Sequence, residues 1–116
     1  GARVACRTAA DTGAAGVVCL AFPLHPPGRP EKSRREELLT PVVPVLVLQG
    51  DRDTFGGAEL VAAEADGRAN IRVVPVPGAD HGMRTLKTSP LDAHGVARLV
   101  VGTVAGFARE LAAGSR

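Results

Sequence analysis

The sequence predicts an α/β fold in which a parallel sheet is covered by helices on both faces, a three-layer α/β/α arrangement. Three apolar runs of strand length, residues 16–22, 45–48 and 71–76, are separated by segments with helical spacing. The first two are apolar without alternation, which marks strands buried on both faces. Each run stops at a turn containing Gly, Pro or Asp, the layout of strands alternating with helices through right-handed crossovers.

Taken in order, residues 1–12 are alanine-rich. Arg3 and Arg7 stand four apart, while Ala2, Ala5, Cys6 and Ala9 fall on another side. That spacing predicts a helix with one small-residue face, stopped at Gly13. The run 16–22 is the first strand, ended by Pro23. It reads as central, with a neighbour on each side. Residues 24–30 hold three prolines, Pro26, Pro27 and Pro30, and form a stiff loop. A short helix is expected over 33–39, before Pro41 and Pro44.

Val45 to Leu48 form the second buried strand, and residues 57–65 a helix ended by Asp66-Gly67. Residues 71–76 form the third strand. Pro75 lacks a ladder donor, so this strand belongs at a sheet edge. The last helix carries Val96, Val100, Val104, Phe107 and Leu111 as one apolar stripe. Ser89-Pro90-Leu91-Asp92 reads as its cap, with proline at the first helical position. Gly102 and Gly106 share a face and predict a close approach to a partner. No repeat or linker divides the chain, so its 116 residues belong to a single domain.

Composition narrows the function. Hydrophobic residues are 45% and charged ones 22%, as in an ordinary globular protein. Aromatic residues are 3%, without Trp or Tyr, which leaves no platform for base stacking. The net charge is +2, and the dense run 31–37 nearly cancels internally, so nothing asks for nucleic acid. No apolar run reaches membrane-spanning length. Cys6 and Cys19 have no Cys or His at metal-ligand spacing. They form no zinc pattern and read as small core residues of a reducing compartment, which predicts a cytoplasmic protein. Met83 is the one methionine, so Gly1 is not a translation start and the chain is expected to be part of something longer.

The reactive residue types collect where the strands end. In such sheets ligands sit beyond the carboxyl ends of the strands. Those ends deliver residues 22–25, then Asp51 and Asp53, then Asp80 and His81. Each half has an ordinary explanation. Asp is common in turns because it bonds nearby backbone, or it could cap the helix beginning near Gly57. A lone loop histidine is usually just solvated. Together, at the same end of adjacent strands, an acid and an imidazole make two parts of a hydrolytic triad.

Gly50-Asp51-Arg52-Asp53 after one strand, Asp80-His81-Gly82 after the next, and a closing amphipathic helix resemble the C-terminal half of an alpha/beta-hydrolase. That family orders nucleophile, acid and histidine along the chain. The resemblance implies Asp53 as the acid and His81 as the base. Gly1-Ala2-Arg3-Val4-Ala5 resembles the end of a Gly-x-Ser-x-Gly elbow, implying a serine two residues before Gly1 and a missing N-terminal part of the same domain. Phe22-Pro23-Leu24-His25-Pro26-Pro27-Gly28 followed by Pro30-Glu31-Lys32 is similar to the dienelactone-hydrolase-like branch, which includes the testis-expressed protein and a non-specific lethal complex subunit. Many members have Pro after the acid, where this chain has Thr54.

The resemblance implies a serine-type hydrolase of ester, thioester or similar acyl bonds, acting on a small-molecule acyl substrate without cofactor. The chain alone, lacking nucleophile and oxyanion donors, is expected to be inactive and a poor folder with an unpaired strand edge. The alternative is a non-catalytic protein-interaction module on the same scaffold. A nucleotide-binding domain is disfavoured, since Gly56-Gly57 lacks the Lys-Ser/Thr of a phosphate loop. Among the remaining polar residues, Asp51 is a second choice of acid, Asp80 shapes the turn before His81, and His25 is a pocket wall or idle. His94 belongs to the surface. Ser33, Ser89 and Ser115 lack elbow glycines and are not nucleophiles.

Overall fold

Val45, Leu46, Val47 and Leu48 are all fully buried in the middle of a three-stranded parallel sheet. The computed structural model describes residues 16–29 and 31–114. Its elements run β1 (Val17–Leu20), α1 (Arg35–Leu39), β2 (Val45–Gly50), α2 (Ala58–Glu64), β3 (Ile71–Val76) and α3 (Ala93–Gly114). The helix expected over 1–12, with Cys6 and the elbow-like residues 1–5, lies outside the described residues, as does Ser115.

The strand order is β1-β2-β3, with Val17 paired to Val45 and Val45 to Ile71. Because side chains alternate along a strand, β2 feeds two cores. Val45 and Val47 join Val17, Cys19, Phe22, Leu24 and the Leu38–Leu39 pair of α1. Val61 of α2 completes that cluster with Ala65. Leu46 and Leu48 face the other way, toward Val76, Val96 and Phe107, with Val100, Val104 and Leu111 of α3 packed alongside. Thus α1 and α2 cover one face and α3 the other. Burying each of the large β2 side chains contributes about 1.5–3 kcal/mol, and this double burial makes β2 the axis of the fold.

Three expectations need correction. The unbroken apolar run of β1 predicts burial on both faces, but Val18 is half-buried and Leu20 is 48% exposed. An apolar run records what a face can bury, and the described residues leave about half of Leu20 uncovered. Second, α3 starts at Ala93, so Pro90 is not its first helical residue. Asp92 is the cap: its Oδ1 accepts from the Gly95 amide at 2.8 Å and its carbonyl from Val96 at 3.0 Å. Third, a Cβ added at Gly102 would meet nothing within 4 Å among the described residues, so no close approach occurs there. Near Gly106 the nearest group is the far end of the Arg109 side chain. The edge position of β3 agrees with Pro75, at the end of the described sheet. No helix among the described residues is long and apolar enough to cross a membrane.

Candidate active site

Because β2 and β3 run parallel and in register from Val45↔Ile71 to Gly50↔Val76, they end side by side. The turns that follow, 51–57 and 77–85, leave the sheet at the same end and are stitched together. The Gly78 amide donates to Asp51 Oδ1 at 2.8 Å, and the Arg52 amide donates to the Ala79 carbonyl at 3.0 Å. The Arg52 guanidinium adds a bond to the Gly78 carbonyl at 3.1 Å. Glycine at position 50 is what lets the turns meet: a Cβ there would sit 2.1 Å from the Ala79 oxygen.

Within this double turn His81 Nδ1 lies 2.9 Å from Asp53 Oδ2 and 3.1 Å from Oδ1. The Asp53 side chain is wholly buried and that of His81 is 36% exposed. A carboxylate facing Nδ1 selects the tautomer with the proton on that nitrogen and leaves Nε2 as the basic one. Phe55 engages both partners. Its amide donates to Asp53 Oδ1 at 2.8 Å, and its ring lies against the imidazole with centroids 4.2 Å apart.

Beneath the acid sits Gln49, the fully buried penultimate residue of β2. Its Oε1 accepts from the Phe22 amide at 2.7 Å. Its Nε2 faces three oxygens: the Gly56 carbonyl at 2.6 Å, the Phe22 carbonyl at 2.9 Å and Asp53 Oδ2 at 3.2 Å. Reversing the amide would set oxygen against oxygen three times, so its orientation is fixed. A buried amide left unpaired costs about 1–3 kcal/mol; this one joins the end of β1 to the acid turn. Neither Gln49 nor Phe55 was singled out from sequence. An amide inside an otherwise apolar buried strand, one residue before the Gly-Asp turn, was the available signal for Gln49.

A family profile described as the alpha/beta hydrolase domain matches residues 1–109. The chain belongs to the alpha/beta-hydrolase family. No curated protein and no solved structure matches it.

In this alpha/beta-hydrolase chain the other polar residues have separate tasks. Asp51 is exposed and bonded to Gly78, which leaves Asp53 as the carboxylate on His81. Neither acid caps α2, whose cap residue Gly57 has no side-chain hydrogen bond. Asp80 shapes the turn, its Oδ1 accepting from Gly82 and Arg84 amides, each at 2.9 Å. Those bonds, the Arg84 one foremost, outweigh desolvation and, helped by the nearby positive charges of Arg52 and Arg84, hold its carboxyl below the usual range. His25 is buried. Its Nδ1 lies 2.8 Å from the Pro26 carbonyl, and its amide donates to the Phe55 carbonyl at 3.0 Å, which places it beside the acid turn. His94 is exposed at the start of α3. Ser33 and Ser89 accept from the Arg35 and Leu86 amides. Among the described residues no group of His, Cys, Asp or Glu could hold a metal.

Proposed function

We propose that the protein is a serine-type hydrolase of ester, thioester or similar acyl bonds, with Asp53 and His81 as its acid and base. The observation that carries this reading is the contact of one imidazole nitrogen with both oxygens of a fully buried carboxylate. The nucleophile in this reading is a serine two residues before Gly1, in an elbow whose last glycine is Gly1. The Phe22-Pro23-Leu24-His25 stretch supports placing the protein in the dienelactone-hydrolase-like branch.

The chemistry runs in two halves. The serine hydroxyl attacks the acyl carbonyl while His81 Nε2 takes its proton, and Asp53 stabilises the resulting imidazolium without accepting the proton itself. His81 returns that proton to the departing alcohol or thiol, leaving an acyl-serine. Water then attacks the acyl group, again deprotonated by His81, and the proton passes back to the serine as the acid product leaves. One oxyanion donor is the amide after the serine, and another comes from an earlier loop.

Hydrolysis of aryl esters and thioesters by the full-length protein tests this. Turnover abolished by His81→Ala supports the reading. Turnover indifferent to His81→Ala overturns the role of His81 as the base, and no turnover with any acyl substrate favours the non-catalytic scaffold.

A further inference from the structure

We infer that Gln49 is a positioning residue for the base: it fixes the Asp53 oxygen that accepts the hydrogen bond of His81 Nδ1, and does so by tying the acid turn to the end of β1. The inference rests on reading Asp53 and His81 as acid and base. The oxygen that Gln49 touches, Oδ2, is also the one nearer His81 Nδ1, at 2.9 Å against 3.1 Å for Oδ1. The other oxygen is held by the Phe55 amide. The carboxylate is thus gripped at both ends, and rotation about its terminal torsion, otherwise soft, is blocked.

The grip has a foundation. Gln49 spends its carbonyl and part of its amide on both backbone groups of Phe22, the residue that leads into the 22–25 loop. Its shortest bond goes to the Gly56 carbonyl, on the far side of the acid. One amide therefore brackets residues 53–56 and pins them to the neighbouring strand. Two Nε2 hydrogens serve three oxygens, so the Asp53 contact, the longest, is the shared one. Only a side chain with donor and acceptor on one carbon meets all four demands.

The test uses full-length protein with labelled histidine and glutamine, followed by NMR. In the unaltered protein His81 carries its proton on Nδ1, and the two Gln49 Nε2 protons are distinct and slow to exchange. Gln49→Met and Gln49→Leu nearly keep the size and remove every bond without adding a charge beside Asp53. Both are expected to speed exchange of the His81 Nδ1 proton by about tenfold, the effect of one lost hydrogen bond, and to mix the two tautomers. In turnover, kcat falls on the order of 10–100-fold with little change in KM. An unchanged Nδ1 proton beside lowered thermal stability reduces Gln49 to a structural strut and overturns the inference. So does rapid rotation of the Gln49 amide in the unaltered protein, a result that needs no variant to fold. If Asp53→Asn and His81→Ala leave turnover intact, the hydrolase reading fails, while the Nδ1 proton still decides the role of Gln49.

Discussion

Gly50 and Ala79 lie backbone to backbone: a Cβ on the first would stand 2.1 Å from the carbonyl oxygen of the second and 2.6 Å from its carbon. The obstacle is main chain, so a side-chain rotation cannot relieve it. Gly50→Ala therefore pushes the 77–85 turn away from the 51–57 turn. The expected cost is about 1–3 kcal/mol or more, read as a lower midpoint in chemical unfolding. Any Asp53–His81-dependent activity falls further than stability does, because the displaced turn carries His81. An unfolding midpoint equal to that of the parent protein contradicts this contact.

Asp80 sets an acid limit on the same turn. Its carboxyl is held below the usual range chiefly by the Arg84 amide, with help from Gly82 and from the positive charges of Arg52 and Arg84. A depressed folded-state pKa means the stabilisation is complete above the unfolded value of about 3.9 and is lost as pH falls through the folded value. Unfolding measured between neutral and strongly acid pH should show this loss below about pH 4. Asp80→Asn removes that part of the pH dependence. A variant with the same acid profile as the parent excludes Asp80 as its source.

The start of α3 depends on Asp92. Its carboxylate takes the Gly95 amide, a bond that also lowers its pKa. Asp92→Ala is expected to lower the melting temperature through loss of the cap, and Asp92→Ser should retain most of the stability. Pro90→Ala, by contrast, leaves α3 nearly unchanged, since the helix begins after it. Thermal unfolding of the three variants orders them directly.

The sheet and the acid–imidazole pair were legible because both depend on local pattern. A continuous apolar run such as Val45 to Leu48 can be satisfied only by two-sided burial, and a Gly-Asp turn after it must emerge at the strand's end. Parallel register then brings Asp53 and His81 together without further information. What stayed hidden depends on neighbours distant in sequence. Gln49 is one polar letter in an apolar run, and its meaning comes from Phe22 and Gly56. Gly50 reads as a turn residue, while its real constraint is the Ala79 carbonyl. At α3 the cap stretch is legible but its register is not, because the reach of the Asp92 carboxylate to the Gly95 amide sets where the helix starts. Gly102 shows the reverse error, a small residue with nothing described against it.

The proposed chemistry also sets a magnitude. Asp53→Asn keeps the shape but presents an amide to His81 and favours the wrong tautomer. In the full-length protein kcat should fall about 10⁴-fold. If the nucleophile is the proposed serine before Gly1, the 116 residues by themselves should show no serine-hydrolase turnover. That loss is on the order of 10⁶-fold. Steady-state kinetics with one activated ester reads both effects, and turnover by the chain alone that His81→Ala abolishes contradicts the assignment of the nucleophile.

The central claim, that Asp53 and His81 activate a serine, is tested most directly by the rate at which a fluorophosphonate labels the full-length protein. The account predicts labelling of a single serine two residues before Gly1, lost in His81→Ala and much slowed in Asp53→Asn. No labelling, or labelling that proceeds equally well without the His81 imidazole, contradicts it.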